Sequence, residues 1–290
     1  MSGVSGIYDE PELYQLACAY RDVPAESGAL LTWVDRHAQV AGGVTSVIEL
    51  AAGPGEHARE LARRGLRATA LDHSAAMCAY AAAQAKAGGV DLNVVEADMR
   101  DFRIVGPGAG DGPARFDLAI TMLNSVCHLF TLDDLVNHLT AVAANLTPGG
   151  LYIVELAHPA DFFAAEPRTR SEWTVDADGV HALVRWGGRG DRIDPLSQVT
   201  DEHMMIKVTA ADGTVRTVSD VVPNRFWTLT EFTAAVRLAS ALAAGSAAGH
   251  AAQRLDLVAS YGDFDDTTTL DAPTAWRMIL ILRAEPATVR

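Results

Sequence analysis

The segment Val47-Ile48-Glu49-Leu50-Ala51-Ala52-Gly53-Pro54-Gly55-Glu56-His57-Ala58 constrains the chain most. An apolar, strand-like run passes through an acid into a glycine-punctuated turn and then into a helical stretch. Small residues at Ala51, Gly53 and Gly55 remove the side chains that would hold a ligand off the backbone, and the first turn of the helix offers free N–H groups. Such a corner suits a nucleotide-type cofactor. The spacing Gly53-x-Gly55-x-x-Ala58 equally fits a dinucleotide fingerprint, so the turn alone leaves the nucleotide open.

The surrounding pattern places this corner in an α/β domain. Strand-like runs at Val44–Leu50, Ala68–Leu71, Leu92–Glu96, Phe116–Thr121 and Leu151–Leu156 alternate with helical stretches at Ala58–Arg64, Ala75–Ala87 and Leu132–Asn145. That alternation is the signature of a parallel sheet covered on both faces. Ser74 and Thr131 stand where N-caps belong, and Gly65 and Gly88 where C-caps belong. The glycine-rich run 106–113 reads as a surface loop. Residues 170–223 change character: Trp173–Val175, His181–Trp186, Gln198–Val208 and Val215–Val222 have strand chemistry, with a hairpin signal at Asp212-Gly213. An inserted antiparallel sheet is expected there. Helix resumes at Thr230–Leu242, the Ala/Gly-rich stretch 243–252 reads as helix or connector, and Asp256–Tyr261 and Arg277–Leu282 are the last strands.

Charge and cysteine usage narrow the function classes. With 37 Asp+Glu against 23 Lys+Arg, a polyphosphate backbone is repelled, so nucleic acid is not expected as a partner. Cys18, Cys78 and Cys127 form no C-x-x-C pair, which points to reduced thiols and a cytoplasmic setting. The N-terminus has no secretory pattern. The most apolar region, Leu139–Leu156, is cut by Pro148-Gly149-Gly150, so no membrane span is expected. No His spacing of the H-x-x-x-H or H-E-x-x-H kind occurs, and no metal is assigned.

Three further features sit at strand ends, where open α/β sheets bind ligands. Asp72 ends the second strand and can accept both hydroxyls of a ribose; Asp98 ends the third and can accept from an adenine amino group. Met122-Leu123-Asn124-Ser125-Val126-Cys127-His128 closes the fourth, and Pro148-Gly149-Gly150 precedes the fifth. Taken singly, Glu49 reads as a core ion-pair partner, Asp72 as a neighbour of a helix cap and Asp98 as a turn former.

In this order the motifs resemble the class I S-adenosylmethionine-dependent methyltransferases, in particular the bacterial small-molecule branch, over most of the chain. Glu49, Ala51, Gly53 and Gly55 match the first motif, with Ala51 in place of the usual glycine. Asp72 matches the ribose-binding acid, Asp98 with Met99 the adenine-binding pair, and Pro148-Gly149-Gly150 the turn before strand five. The resemblance implies a Rossmann-like core of seven strands ending in a reversed hairpin, with the inserted antiparallel sheet as a lid. It implies S-adenosylmethionine as cofactor and a place for Glu49 near its methionine amino group. His73 and Asn124, at the strand ends, join the expected cofactor set. The expected divisions are an N-terminal helical cap (1–43), the cofactor-binding core (44–158), the β-rich lid (159–227) and the return to the sheet (228–290).

The expected reaction is methyl transfer to a nitrogen or oxygen nucleophile of a small molecule. The rivals are cyclisation or aminocarboxypropyl transfer from the same cofactor, and binding without catalysis. A nucleophile that must shed a proton favours a nearby histidine, worth roughly 10²- to 10⁴-fold. His128, beyond the fourth strand, is the first candidate; His158, at the end of the fifth, is the second, with a turn role before Pro159 as its alternative. In related enzymes the N-terminal segment folds over the cofactor. Tyr20 and Arg21 are therefore expected against the sulfonium and the cofactor carboxylate, and Tyr8 and Tyr14 near the acceptor, with plain helix packing as the alternative. Arg225 can bind an acceptor carboxylate or phosphate. Trp173, Trp186 and Trp227 either roof the acceptor or form the inserted sheet's own core or a homodimer contact.

Overall fold

A computed structural model describes residues 6–104, 114–163, 165, 168–177, 179–245 and 253–286. The expected loop 106–113 and most of the Ala/Gly-rich stretch, 246–252, lie outside the described residues. Strands β1 (Ser46–Leu50), β2 (Arg67–Asp72), β3 (Leu92–Glu96), β4 (Phe116–Thr121) and β5 (Leu146–Ala157) are followed late in the chain by β10 (Gln253–Tyr261) and β11 (Arg277–Pro286). They form one seven-stranded sheet in the order β3-β2-β1-β4-β5-β11-β10. The first five run parallel, whereas β11 is antiparallel to both β5 and β10. The chain order reverses between β1 and β4, so the C-terminal ends of these strands open the crevice where such sheets bind ligands.

Alternation within the strands divides the core into two layers. Ile48 and Leu50 face helices α5 (Leu132–Asn145) and α7 (Leu229–Gly245), where Leu135, Leu139 and Phe232 cover them. Val47 faces the other way, against Leu30 and Trp33 of α2 (Val23–His37) and Leu61 of α3 (Glu56–Arg63). Each such fully buried side chain contributes roughly 1.5–3 kcal/mol. Helix α4 (Ala75–Ala87) starts on Ser74, whose hydroxyl accepts from Met77 N, and α5 starts on a capping box between Thr131 and Asp134. Gly65 takes the left-handed conformation after α3; after α4 that conformation falls to Gly89 rather than Gly88.

The main departure from the expected boundaries is β5, which begins at Leu146 and carries Pro148-Gly149-Gly150 inside it. Its pairing with β4 is irregular there, Phe116 opposing Leu146 and Leu118 opposing Leu151. Gly149 has φ +81°, and a side chain on it would run into the backbone of Gln39, whose N–H donates to Gly149 O at 2.8 Å. This turn stands at the end of β5 remote from the ligand crevice.

Between β5 and α7, after the short helix α6 (Ala160–Phe163), a separate antiparallel sheet runs β6 (Glu172–Ala177), β7 (Val180–Trp186), β8 (Val199–Thr209) and β9 (Val215–Arg225) in sequential order. Gly213, φ +83°, makes the β8–β9 turn at the expected Asp212-Gly213. The inner face of this sheet presents Val184, Met204, Ile206, Val218 and Val222 to Ile7, Leu13 and Ala17 of the N-terminal segment, which carries α1 (Pro11–Ala17). Burial of these apolar faces seats the N-terminal segment under the second sheet and beside the crevice.

Candidate functional site

A cavity of about 860 Å³ lies between the C-terminal ends of the parallel strands, the N-terminal segment and the second sheet. That is near the top of the roughly 300–1,000 Å³ range of small-molecule sites. Ala51, Gly53, Asp72 and His73 line its floor; Leu123, Asn124 and His128 one side; Tyr8, Tyr14 and Tyr20 the N-terminal side; and Trp173, Trp186, Thr200, Glu202 and Asn224 its roof.

The floor follows from the glycine corner. Gly53 (φ +52°) leaves bare backbone toward the cavity, and its N–H donates to Asp72 Oδ2 at 2.7 Å; Ser74 N donates to Oδ1 at 2.8 Å. The Asp72 carboxylate thus ties β1 to β2 and keeps lone pairs free on the cavity side. Ala51 adopts φ +50°, a region that costs a residue with a Cβ roughly 1–2 kcal/mol. Leu123 and Asn124 are also left-handed, φ +53° and +58°, where the chain leaves β4. Asn124 Oδ1 accepts from Ala157 N at 3.0 Å and fixes the end of β5 beside it. Clustered strain of this kind persists where the surroundings hold it, characteristically at functional sites.

Beneath the floor lies a buried ion network. Glu49 Oε2 accepts from Ala58 N at the start of α3 at 2.8 Å, and Oε1 lies 3.4 Å from His57 Nδ1. His57 Nε2 is 2.9 Å from Glu26, which also pairs with Arg21 at 2.7 Å and Arg277 at 3.0 Å. Glu155 takes Arg21 at 2.8 Å, Arg277 at 3.4 Å and the Leu123 N–H at 2.8 Å. Burial opposes the charged form of each acid, but hydrogen bonds from His57 and Arg21 hold Glu26 well below the usual carboxylate range, and Arg21 and Arg277 hold Glu155 down likewise. Three buried carboxylates face three cations when His57 is protonated, and a fourth, the more exposed Asp263, lies 3.7 Å from Arg277. The network joins β1, α2, α3, β5 and β11 under the cavity.

On the side wall His128 Nε2 lies 3.1 Å from Tyr8 OH. Burial lowers the His128 pKa to about 4, with His73 adding to the effect and hydrogen bonding to the Pro223 backbone opposing it. The Pro223 backbone has only a carbonyl to offer, so Nδ1 carries the proton and Nε2 accepts from the tyrosine hydroxyl. His128 is therefore a neutral acceptor at ordinary pH. Burial also pushes the Tyr8 phenol well up, so it stays a donor.

Several expected site residues stand elsewhere. Arg21 is consumed by Glu26 and Glu155, its side chain 3% exposed; the arginines on the cavity wall are Arg170, Arg189, Arg192 and Arg277, the last already paired with Glu26 and Glu155. Glu49 caps α3 and faces His57 rather than the cavity. Gly55, φ +70°, lets α3 close on its neighbours: a Cβ there would meet Ala81 Cβ at 3.3 Å. Asp98 turns outward to Arg100, and Met99 packs in the core with its carbonyl on His138. His158 accepts from Ala160 N and directs Nε2 to Leu270 O at 2.8 Å, which pins the exit of β5 and leaves no nitrogen for the cavity. Arg225 lies over Trp227, 3.7 Å from the ring centroid, and donates to Phe130 O, away from the cavity. Trp227 belongs to the main core, while Trp173 and Trp186 are on the roof. Sequence reasoning passed over Glu155, Arg277, Thr200, Glu202 and Asn224. Only Thr200 and Glu202 carry a signal: they are polar residues in phase with Met204 and Ile206 on the inward face of β8.

Among the described residues no group of three or more His, Cys, Asp or Glu could hold a metal ion, and no helix is long and apolar enough to cross a membrane. Residues 47–150 match the family described as a methyltransferase domain. No curated protein matches the chain. Among solved structures, a S-adenosylmethionine-dependent methyltransferase from Clostridium acetobutylicum ATCC 824 is 16% identical with a TM-score of 0.69, over 93% of this chain and 94% of that one. DesVI from Streptomyces venezuelae is 21% identical with a TM-score of 0.67, over 93% and 96%. The sugar N-methyltransferase KedS8 from Streptoalloteichus sp ATCC 53650 is 21% identical with a TM-score of 0.62, over 93% and 92%. At these identities the likeness is one of fold.

Proposed function

We propose that this chain, a class I S-adenosylmethionine-dependent methyltransferase, methylates a nitrogen or oxygen nucleophile of a small molecule held under the second sheet. The observation that carries the reading is the single cavity with Gly53 and Asp72 on its floor and the Tyr8–His128 pair on its side wall. The residues fit the cofactor: bare backbone at Gly53 and free lone pairs on Asp72 for ribose hydroxyls. When bound, S-adenosylmethionine supplies a methyl group already activated on a sulfonium sulfur.

The chain's own residues then have two tasks. The first is positioning, since in-line attack needs the nucleophile about 3–3.5 Å from its target, and walls of Tyr14, Trp173 and Trp186 can hold an acceptor and exclude water. The second is proton handling, for which the Tyr8 hydroxyl can take a proton from the nucleophile while passing its own to the neutral His128 Nε2. KedS8 is a sugar N-methyltransferase, which supports putting amino sugars early in an acceptor panel. The test is mass spectrometry of reactions with S-adenosylmethionine and a panel of amines, amino sugars, phenols and carboxylates. S-adenosylhomocysteine with an acceptor one methyl heavier is expected. Methylthioadenosine as by-product, or no methylated acceptor across the panel, would overturn the reading.

A further inference from the structure

The inward face of β8 reads Thr200, Glu202, Met204, Ile206; the last two are buried against the N-terminal segment, while Thr200 and Glu202 line the cavity. A carboxylate on such a face loses hydration and needs compensation. The other buried acids have it: Glu26 and Glu155 take arginines, Glu49 takes His57 and a helix N–H, and Asp117 takes the backbone and hydroxyls of Thr45 and Ser46. Glu202 has one donor, Asn224 Nδ2 at 2.6 Å, and among the described residues no cation pairs with it. Asn224 is itself fixed in that orientation, its Oδ1 accepting from Cys127 Sγ at 2.9 Å. Across the strand pair from Asn224 stands Thr200, whose buried hydroxyl has no hydrogen-bond partner. Asp191, the acid nearby, is already taken by Gly188 N and by the backbone N–H and Nδ1 of His203.

Arg170, Arg189 and Arg192 also line the cavity, but among the described residues none of them pairs with Glu202, and the aromatic side chains of the lining suit a cation. Tyr14 lies 5.9 Å from Trp186 and 5.6 Å from Tyr8, ring centroid to centroid, giving electron-rich faces around the same space. Glu202 lines the same cavity as Tyr8 and His128, the proton-handling pair. Its own carboxyl is pushed up by burial and by Asp191 against the Asn224 hydrogen bond, which makes it a more willing proton acceptor.

We propose that Glu202 is a specificity-determining residue that binds the acceptor's nitrogen as an ammonium, with Thr200 as a second hydrogen-bond partner, so that the acceptor is an amine. The inference rests on the methyltransferase reading. An ammonium cannot act as a nucleophile; one N–H bond must break, its electron pair staying on nitrogen, while the proton moves to a Glu202 Oε atom. The amine so formed faces the cavity with its lone pair.

Binding tests this without turnover. Matched pairs that differ only in NH₂ against OH (benzylamine and benzyl alcohol, 2-phenylethylamine and 2-phenylethanol, glucosamine and glucose) are titrated by tryptophan fluorescence, with and without S-adenosylhomocysteine. The wild type is expected to prefer the amine in at least one pair by about tenfold or more, the scale of a charge-assisted hydrogen bond. Glu202→Gln is expected to lose that preference, Thr200→Val to keep it with weaker affinity, and Asp201→Asn, on the exposed outer face of β8, to leave it unchanged. An absent preference in the wild type, or one that survives in Glu202→Gln, overturns the proposal. S-adenosylhomocysteine binding is read on the same samples: its absence from the wild type would refute the methyltransferase reading, and the amine titration without it remains a separate answer.

Discussion

The buried network under the cavity makes stability depend on one proton, that of His57. Burial alone would strip the imidazole of its charge, but hydrogen bonds to Glu26 and Glu49 outweigh it and raise the pKa from 6.5 to about 9. Between those values the folded chain holds a proton that the unfolded chain has released. The stabilisation is thus complete below pH 6.5 and lost as pH rises through about 9. At about 1.4 kcal/mol per pH unit, that is about 3 kcal/mol, a large share of the roughly 5–15 kcal/mol that holds a domain folded. Urea unfolding at about pH 6 and about pH 9.5 measures it, with His57→Gln as the comparison, since glutamine keeps hydrogen-bonding capacity without the titration. The wild type should lose about 3 kcal/mol more than the variant between the two pH values. Parallel losses would show that His57 is not charged in the fold and that the three carboxylates are balanced some other way.

Five further outcomes follow from the same geometry. Gly55→Ala meets both a left-handed φ and the Ala81 methyl at 3.3 Å, so it should destabilise by roughly 1–3 kcal/mol in thermal unfolding, whereas Ala51→Gly should stabilise by up to about 1 kcal/mol. Arg21→Met leaves Glu26 and Glu155 short of a cation and should cost about 3–5 kcal/mol in denaturant unfolding. Because His128 titrates at about 4, it remains the neutral acceptor down to about that pH, and the acid limb it imposes on kcat/KM should lie near pH 4 rather than 6.5; an acid limb near 6.5 that vanishes in His128→Ala would contradict the burial argument. Tyr8→Phe removes the hydrogen bond at Nε2 and should lower kcat about five- to tenfold, the worth of a hydrogen bond of roughly 1 kcal/mol, with the protein's stability little changed.

Legibility in the sequence followed how local the cause was. Strand β4 and helices α4 and α5 have the ends expected from their sequence, because a sealed parallel strand reads as an apolar run and Ser74 and Thr131 cap on their own backbone; β3, a half-exposed edge strand, also has the expected ends. The glycine corner and Asp72 were readable for the same reason: bare backbone and an acid at a strand end are local requirements. Asp98 was misplaced because Arg100, two residues on, takes its carboxylate outward. Arg21 was assigned to the cofactor because Glu26, Glu155, His57 and Arg277 come from four other segments, and no spacing announces their convergence. His158 is occupied by Leu270, more than a hundred residues away in sequence. Glu202 could have been found: in a strand of period two, an acid in phase with Met204 and Ile206 faces the core, and a core acid needs a reason.

The most direct measurement is a calorimetric titration of the wild type and Asp72→Ala with S-adenosylhomocysteine. One site per chain is expected in the wild type. Asp72→Ala should weaken it at least about tenfold, since loss of a carboxylate acceptor for two hydroxyls removes on the order of 1.5–3 kcal/mol. Failure of the wild type to bind, or equal affinity in the variant, would contradict a cofactor seated on the Gly53–Asp72 floor.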